Sequence, residues 1–456
     1  MKLLLVKAPS STHTINPSLS LAYLIPNAKK HAEIKILDCL KENYNFEDFQ
    51  KYLKFYKPDI VGFTSFTMEI KSVFKCAEII KSYNKKIFTI VGGPHASTFP
   101  QNVLENKNID FVFISEAENN FPKLLQQLKG IKKTFRNIPN LGFKENGKLV
   151  FNKLKLEENL DSLSFPDFDL MNFKTYPKLY LARKHPSIPI LTSRGCPFNC
   201  TFCTGYKISG KKFRARSPEN IIEELKILKQ KYKIKEFQIW DDNFTLDKKR
   251  AMKFCNLLIK EKLNLIWWCP NGVRMETLDY KLLKKMKSSG CYAIVLGIES
   301  GSLKIQKDMN KNLDFKKLRN VVNMAYKLKL RTQGFFIIGY PTETKSDIIK
   351  TIKLAKSLPL DRATFGLFQP LPGSEIFNQL KKQGKLKDID FTKIEYSKPS
   401  IAPNGITLKE LKNLQQRALI EFYFQPKVFF KFLKENLTLS QFKEISNMVK
   451  KYLLNK

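Results

Sequence analysis

The chain has 456 residues, of which 43% are hydrophobic and 27% are charged. This composition is that of an ordinary folded protein with room for two or three domains, and no apolar run reaches the roughly 18 residues of a membrane-spanning helix. The N-terminal residues lack the cleavage site of a signal peptide, so we expect a cytoplasmic protein without a transmembrane segment.

The 80 basic and 42 acidic residues give a net charge of +38. The lysines fall on the polar faces of predicted helices and do not form one tract, which favours a general lysine bias and argues against a nucleic-acid partner. An anionic substrate, an anionic partner or a lipid surface is the alternative interpretation of the charge.

Residues 1–135 predict a first α/β domain. Short runs rich in Val, Ile and Phe alternate with amphipathic stretches, a pattern typical of a parallel sheet with helices on both faces. The strand candidates are residues 2–6, 33–37, 59–63, 87–91 and 111–114, and the helical stretches are 70–82 and 119–128. We expect a Rossmann-like (flavodoxin-like) domain that binds its ligand at the carboxyl ends of the strands.

Residues 136–186 predict a connector. A hairpin over residues 140–154 is expected to turn at Asn146 and Gly147, and the Pro- and Asp-containing stretch 163–169 is expected to be extended.

Residues 187–400 predict a second α/β series. The strand candidates are residues 188–192, 236–240, 265–268, 293–296, 334–338 and 363–368, and the helical stretches are 218–231, 248–261, 280–289, 315–328 and 345–358. Six strands are too few for a closed eight-stranded barrel, so we predict an open (β/α)6 partial TIM barrel.

Residues 401–456 predict a helical C-terminal segment, with helices at 408–423 and 428–452. An aromatic stripe interleaved with lysines runs along it and comprises Phe422, Phe424, Phe429, Phe430, Phe432, Lys427 and Lys431. We expect this stripe to pack as a lid on the barrel mouth. A membrane-surface or lipid-substrate face is the alternative.

Five of the eight cysteines are scattered through apolar stretches and are interpreted as buried, reduced core thiols. They are Cys39, Cys76, Cys255, Cys269 and Cys291.

The other three, Cys196, Cys200 and Cys203, stand at a C-x3-C-x2-C spacing after the first predicted barrel strand. Thiolates at short spacings bind iron–sulfur clusters, and three ligands leave one iron of a [4Fe–4S] cluster open. A structural zinc site needs a fourth protein ligand, and the nearest histidine is His185.

The spacing, with the aromatic Phe202 before the last cysteine, resembles the signature of the radical S-adenosylmethionine (SAM) superfamily. This resemblance implies that Cys196, Cys200 and Cys203 hold a [4Fe–4S] cluster whose open iron binds SAM. It also implies reductive cleavage of SAM to a radical that abstracts hydrogen from a substrate.

Residues 1–400 are similar to the subgroup that carries an N-terminal B12-binding domain. The matching stretches are residues 214–218, 240–245, 271–274, 297–302, 339–344 and 370–374. The resemblance implies three cofactors: a [4Fe–4S] cluster, SAM and cobalamin.

The resemblance suggests candidate SAM contacts, which are Phe202, Arg216, Asp241, Asp242, Glu299 and Ser300. The two aspartates and Glu299–Ser300 follow predicted strands on the rim that carries the cysteines, where a carboxylate or hydroxyl accepts hydrogen bonds from the SAM amino group or ribose. The alternatives are a helix cap for the aspartates and an ordinary salt bridge for Arg216.

Candidate cobalamin contacts follow the strands of the first domain. They are Thr64, Ser65, Gly92, Gly93, His95 and Glu116. The Asp-x-His-x-x-Gly motif that supplies a cobalt ligand in other B12 proteins is absent, so the resemblance implies cobalamin held without a histidine on cobalt. A structural role for His95, or a domain that kept the fold and lost the cofactor, is the alternative.

We predict a cobalamin-dependent radical SAM enzyme that transfers a methyl group to an unactivated carbon of a small-molecule or lipid-like substrate, using an external electron donor. A radical cyclisation or rearrangement without methyl transfer is the main alternative. An RNA methylthiotransferase is disfavoured because only Cys39 and Cys76 lie in the first domain, where those enzymes carry three further cluster cysteines. A non-catalytic scaffold is disfavoured by the intact cysteines.

Overall fold

The structure is a computed structural model that describes residues 1–10, 15–131, 134–177, 182–387, 390 and 394–436. The strands are β1 Lys2–Lys7, β2 Glu33–Asp38, β3 Ile60–Thr64, β4 Phe88–Gly92, β5 Phe111–Phe113, β6 Leu141–Glu145, β7 Lys148–Phe151, β8 Ser187–Ile190, β9 Ser193–Arg194, β10 Arg214–Ala215, β11 Glu236–Ile239, β12 Ile266–Val273, β13 Cys291–Glu299, β14 Arg331–Ile338 and β15 Arg362–Leu367.

The α-helices are α1 Leu19–Ala28, α2 Phe46–Tyr56, α3 Ile70–Tyr83, α4 Pro94–Thr98, α5 Pro100–Glu105, α6 Phe121–Lys129, α7 Gly205–Ser209, α8 Pro218–Tyr232, α9 Lys248–Lys260, α10 Tyr280–Ser288, α11 Leu303–Asp308, α12 Phe315–Lys327, α13 Lys345–Ser357, α14 Glu375–Lys382, α15 Leu408–Tyr423 and α16 Pro426–Asn436. All eleven predicted strands that form the two domains are present, with ends shifted by a few residues.

The first sheet has the strand order β2-β1-β3-β4-β5-β6-β7, and its first five strands are parallel. The order 2-1-3-4-5 is that of the flavodoxin-like fold, as predicted. Strands β3 and β4 are apolar along their length because helices cover both faces.

The hairpin β6–β7 belongs to this sheet, although the sequence analysis assigned it to the connector at residues 136–186. Strand β6 pairs antiparallel with β5, so the sheet extends to Phe151. Its turn is the predicted one: Asn146 and Gly147 have φ angles of 50° and 75°, the left-handed conformation that a two-residue hairpin turn requires. Edge pairing leaves no local sequence signal, which is why it was missed.

The second sheet contains six parallel strands in the order β15-β14-β13-β12-β11-β8. Strands β8 and β15 lie at opposite ends and do not pair, which confirms an open (β/α)6 partial barrel. Successive residues of a barrel strand face opposite sides of the sheet. In β12, Trp267 and Cys269 join the core beneath the helices, whereas Trp268 belongs to a separate cluster in the lumen.

The connector packs the two domains together. Phe168 and Phe173 pack edge-on against Tyr232 of α8, with ring centroids 6.0 Å and 5.9 Å away. Tyr176 donates a hydrogen bond of 2.8 Å to Asp38 at the end of β2. One apolar core therefore runs from the first sheet into the barrel.

Helix α15 has the predicted bounds but does not form a lid. Its buried Leu411, Ala418 and Phe422 cover the outer face of β15, where Phe422 packs on Phe365, and Gln415 donates to the carbonyl oxygen of Phe365 at 2.6 Å. It thus occupies the place of the helix that follows the last barrel strand.

The predicted helix at 428–452 begins earlier, at α16, and its part beyond residue 436 lies outside the described residues, as does the side chain of Phe432. Phe424 and Phe430 are exposed. Among the described residues, none of the helices has the length and apolar character needed to cross a membrane.

Candidate functional site

The three cysteines lie in one loop at the carboxyl end of β8. Cys196 and Cys200 are partly exposed and Cys203 is exposed, while the five other cysteines are buried, as predicted. A short antiparallel ladder between β9 and β10 closes the loop at its base by pairing Arg194 with Arg214. The loop therefore presents its thiols at the mouth of the barrel.

Glycine and backbone contacts shape this loop. Gly195 has a φ angle of 90°, and a Cβ atom there would overlap the carbonyl oxygen of Lys212. The amide of Cys196 donates to the carbonyl oxygen of Gly210 at 3.2 Å, and the amide of Gly205 donates to Sγ of Cys203 at 3.3 Å. The second contact offers an N–H group to a thiolate.

The outer side of the loop is anchored by Thr201 and Phe202. The Thr201 amide donates to Met309 at the end of α11 at 3.1 Å, its carbonyl oxygen accepts from Ile376 of α14 at 3.0 Å, and its hydroxyl lies 2.8 Å from that of Tyr340. Phe202 packs against the apolar cluster that these elements share. The aromatic position of the motif thus anchors the loop in the protein.

Asp241 lies behind the loop and supports it. Its carboxylate accepts hydrogen bonds from the Thr192 amide at 2.6 Å, the Thr192 hydroxyl at 2.5 Å and the Ser193 hydroxyl at 2.6 Å. Only 2% of Asp241 is exposed. It therefore fixes the chain that leads from β8 into the cysteines.

Its neighbour Asp242 is exposed and faces the loop from the other side. Its carboxylate accepts from the Gly195 amide at 3.3 Å, and a Cβ atom on Gly205 would lie 3.5 Å from Asp242 and 3.4 Å from Cys203. Of the two predicted aspartates, Asp242 is the one next to the thiols.

Glu299 and Ser300 end β13 in different surroundings. Glu299 has a φ angle of 64° and pairs with Lys311 at 3.2 Å. Ser300 is fully buried, with its hydroxyl 3.2 Å from that of Thr351. The structure thus places Glu299 at the barrel mouth and Ser300 beneath it.

Arg216 is committed to a pair within the protein. Its guanidinium donates to Glu224, to Asn220 at 2.7 Å and to the carbonyl oxygen of Leu191 at 2.9 Å, and it stacks on Phe165. Both partners of the Arg216–Glu224 pair are buried. These contacts correspond to the salt-bridge alternative for Arg216.

The predicted cobalamin loops meet at the carboxyl ends of β3 and β4. Gly93 has a φ angle of 93°, and a Cβ atom there would lie 2.8 Å from both the Ser65 amide nitrogen and Oγ1 of Thr64. Ser65 is fully buried, and its hydroxyl donates to the carbonyl oxygen of Gly92 at 3.2 Å. Gly93 therefore allows the two loops to pack closely, because any side chain at this position would collide with Ser65 and Thr64.

His95 faces the interior of the first domain. Its Nδ1 lies 3.1 Å from the hydroxyl of Thr67 and its Nε2 lies 3.2 Å from Oδ1 of Asn102, with only 2% of the residue exposed. Burial lowers the pKa of the imidazole. Both ring nitrogens have partners, which agrees with the structural alternative for this residue.

Glu116 joins the first domain to the cysteine loop. Its carboxylate accepts two hydrogen bonds from Arg214, at 2.8 Å and 3.1 Å, and pairs with Arg194 at 3.2 Å, while Arg194 also donates to Glu118 at 2.6 Å. Burial opposes ionisation of Glu116, but the two arginines lower its pKa. The sequence analysis missed both arginines because their partners are about 80 to 100 positions away.

Further contacts bring the ligand edges of the two sheets together. The Ser115 hydroxyl donates to the carbonyl oxygen of Ile208 in α7, and the rings of Phe99 and Phe377 lie 6.4 Å apart. The carboxyl ends of the first sheet therefore face the mouth of the barrel.

Comparison with known proteins agrees with this arrangement. Residues 190–355 match the model of the radical SAM superfamily, and residues 1–125 match the B12 binding domain. An uncharacterized methyltransferase from Pyrococcus horikoshii is 35% identical over 448 residues, which cover 96% of this chain and 95% of that protein. The chain belongs to the radical SAM enzymes that carry a B12-binding domain.

Two further similarities extend over most of this radical SAM enzyme. The cytidylyl-2-hydroxyethylphosphonate methyltransferase of Streptomyces wedmorensis is 27% identical over 419 residues, covering 80% of this chain and 78% of that protein. The fold matches the cobalamin-dependent SAM radical enzyme OxsB, solved with aqua-cobalamin and SAM, with a TM-score of 0.75, 16% identity and coverage of 99% of this chain and 71% of that one.

The cysteine loop of this radical SAM enzyme fits a cubane cluster. Desolvation of the sulfur atoms raises the pKa of the Cys196 and Cys203 thiols, that of Cys203 to about 11 although the residue as a whole is exposed, and the other loop thiols raise it further. Within the described ranges, no three His, Cys, Asp or Glu side chains are arranged around one point to hold a single ion. A cubane does not need such a point, because each cysteine ligates a different iron.

Arg274 contacts the cysteine loop of this radical SAM enzyme and was not selected from the sequence. Its guanidinium lies 3.7 Å from the ring centroid of Phe198 in the cysteine loop, and it donates to Glu276 and to the carbonyl oxygen of Lys311. The stretch 271–274 was among the matching motifs, which is the signal that could have identified it.

Proposed function

We propose that this radical SAM enzyme transfers a methyl group to a small-molecule substrate in the cleft between its two domains. The observation that carries the proposal is the facing arrangement of the two ligand edges. Glu116 and Ser115 of the first domain contact the elements that follow the cysteine loop, at Arg214 and Ile208. A methyl carrier on one edge and a radical source on the other would then meet at one substrate.

The cysteine loop would hold the cluster through Cys196, Cys200 and Cys203. When bound, the cluster supplies the electron that cleaves SAM, and cobalamin supplies the methyl carrier. Asp242, Glu299 and Arg274 are the charged groups nearest the mouth and are our candidates to bind the amino, ribose and carboxylate groups of SAM. Asp241, Ser300, Arg216 and Phe202 hold these groups in position from behind.

The first domain would hold cobalamin on the backbone of Gly92 and Gly93, with Thr64 and Ser65 beside them. His95 would not reach cobalt because both of its ring nitrogens are engaged within the domain. Glu116 would act on the cofactor only indirectly, through the domain contact that it makes with the two arginines.

We infer that a small substrate would enter the barrel lumen below the mouth. Three strands carry glycine near their upper ends, Gly272, Gly297 and Gly366, where closed barrels carry branched side chains. A Cβ atom on Gly297 would lie 2.6 Å from Glu299, whereas one on Gly272 or Gly366 would have no neighbour closer than 3.7 Å. The ring of Tyr396 lies next to Gly366, and 54% of this residue is exposed.

The reaction requires one electron from outside the chain, and exposed thiols persist in a reducing compartment. We therefore infer an external electron donor and a cytoplasmic location. The described fold contains no separate nucleic-acid-binding domain beside the two α/β units and the C-terminal helices, so we propose a small-molecule substrate and not RNA.

Anaerobic reconstitution with iron, sulfide and hydroxocobalamin, followed by incubation with SAM and a reductant, tests the proposal. We expect a [4Fe–4S] absorption spectrum, stoichiometric cobalamin, and formation of both 5′-deoxyadenosine and S-adenosylhomocysteine. Cys200→Ala should abolish both products, whereas Cys255→Ala, which changes a buried thiol, should not. Formation of 5′-deoxyadenosine without retained cobalamin would overturn methyl transfer and favour a radical rearrangement.

A further inference from the structure

The solvent side of the cysteine loop is surrounded by lysines. Three short segments contact the loop: residues 205–213 follow it directly, and residues 303–311 and 375–387 hold Thr201 by backbone hydrogen bonds. Together they contain ten lysines and two carboxylates. The whole chain has 80 basic and 42 acidic residues, so the imbalance around the loop is well above the background of the chain.

We define the lysine rim as six exposed residues of these segments, namely Lys207, Lys211, Lys304, Lys307, Lys381 and Lys382. Within the described part of the chain none of the six forms an ion pair with a carboxylate. Lys207 and Lys211 both lie over the Tyr206 ring, at 5.6 Å and 5.4 Å from its centroid, and Lys304 donates to the carbonyl oxygen of Thr342.

Within the described residues, the two carboxylates of these segments form no ion pair with the rim lysines. Asp308 is partly buried and accepts from the hydroxyl of Thr342 at 2.5 Å. Glu375 accepts from the side-chain amide of Gln379 at 3.2 Å, one turn along α14. The two excluded lysines with partners, Lys311 and Lys212, pair with Glu299 and Glu158. With six lysines against two carboxylates, the rim is a patch of net positive charge.

The elements that carry the lysine rim contact the cysteine loop. The amide of Thr201 donates to the carbonyl oxygen of Met309 after α11, and its carbonyl oxygen accepts from Ile376 in α14. Pro197, Asn199 and Cys203 are exposed, so part of the loop itself faces solvent. A protein docked on the rim would therefore lie next to the loop.

We propose that the lysine rim is the docking surface of an acidic single-electron carrier protein, which reduces the iron–sulfur centre across the cysteine loop. This inference rests on the proposed function, because it presumes a cluster on the three thiols. The transfer moves one electron and no atoms: the carrier is oxidised by one electron and the iron–sulfur centre is reduced by one. Opposite charges steer such short-lived encounters and raise their association rate more than their affinity. Small wet interfaces are usual for electron-transfer pairs.

The test compares two variants of the reconstituted full-length protein. Each replaces four lysines by glutamate, so the net charge changes by the same amount, but at different places on the barrel. The rim variant carries Lys304→Glu, Lys307→Glu, Lys381→Glu and Lys382→Glu. The control variant carries Lys235→Glu, Lys260→Glu, Lys284→Glu and Lys327→Glu. These exposed lysines precede β11, end α9, lie in the middle of α10 and end α12.

Each protein is assayed for 5′-deoxyadenosine formation with a reduced acidic flavodoxin, and separately with dithionite and reduced methyl viologen. With flavodoxin at low salt we expect the rim variant to lose at least about tenfold in rate, mainly through a higher KM for flavodoxin. We expect the wild-type rate to fall with added salt and the rim-variant rate to stay flat. With either small reductant all three proteins should be equally active.

Equal flavodoxin-driven rates in the rim and control variants would overturn the docking surface. A rim variant that also fails with both small reductants would point to damage at the cluster, so iron content is measured in every preparation, and a Lys→Gln rim variant should show a smaller loss in the same direction. If wild-type protein fails with the small reductants, the proposed function itself is wrong.

Discussion

The two ligand edges of this enzyme are built by different means. The cysteine loop is held from behind by side chains: Asp241 accepts three hydrogen bonds, and Thr201 is fixed on both sides. The facing edge of the first domain is built from backbone, where Gly93 lies in contact distance of Ser65 and Thr64. Both edges are thus sensitive to the addition of a single carbon atom, at Gly195 and at Gly93, and the cluster edge is in addition sensitive to the loss of a buried polar group.

The strongest test of this comparison is Gly195→Ala. The residue has positive φ and a Cβ atom would overlap a backbone oxygen, so we expect a destabilisation of about 2 kcal/mol or more and a loss of most bound iron. Chemical denaturation and iron content measure both effects. Gly147→Ala is the matched control: it also has positive φ but nothing within 4 Å, and should cost about 1 kcal/mol and keep its iron. Iron retained in Gly195→Ala would contradict the assignment.

Asp241→Ala should have the next largest effect. It leaves an amide and two hydroxyls without their buried acceptor, which we expect to cost about 3 kcal/mol in the free energy of unfolding and to lower iron content. The neighbouring Asp242→Ala removes the contacts to the Gly195 amide and to Ser209 at an exposed position, so it should keep iron and weaken SAM binding instead. Equilibrium dialysis with SAM separates the two. Normal iron in Asp241→Ala would show that the loop does not depend on its support.

Gly93→Ala should act on the other edge alone. The added carbon would lie 2.8 Å from Ser65 and Thr64, so the loop must shift and the cobalamin bound after reconstitution should fall several-fold while iron is unchanged. Gly92→Ala is the comparison variant. Its added carbon would meet nothing closer than 3.9 Å, so this loop need not shift and the loss of cobalamin should be smaller than in Gly93→Ala. Simultaneous loss of iron in Gly93→Ala would break the distinction between the edges.

The smallest effect is expected from the substitution Glu343→Gln. Glu343 supports the cysteine loop indirectly, through Tyr340. Its carboxyl accepts from the amides of Gly339 and Tyr340, and Tyr340 contacts Thr201. Burial raises the pKa of Glu343 to about 8, so the folded state keeps a proton that the unfolded chain releases near its ordinary pKa.

The stability that this proton supplies is therefore complete at acidic pH and falls as pH rises towards 8. Glu343→Gln should flatten this part of the profile measured by urea denaturation between pH 5 and 9. An unchanged slope in the variant would contradict the raised pKa. The control is Glu42→Gln, which changes a half-exposed side chain in the first domain and should leave the slope of the profile unchanged.

The sequence was sufficient for the strands and for the cysteine ligand set, since both depend on local spacing. It was insufficient for the side chains behind the cysteines. Asp241 and Arg216 were expected to face SAM because they end or precede barrel elements. Whether a carboxylate at the end of a barrel strand points into the mouth or behind it depends on partners that are distant in sequence, such as Thr192, 49 positions from Asp241. The Glu116–Arg214 contact, between residues of different domains, is of the same kind.

The position of α15 has a practical consequence for anyone shortening this protein. The barrel's last strand is followed by α14 and its loops before the chain returns as α15 to cover Phe365 and Leu367. A boundary placed at residue 400, where the sequence pattern changes, would remove α15 and expose an apolar strip along the outer face of β15. Such a truncated protein should aggregate on expression, whereas one that ends after Tyr423 keeps the strip covered.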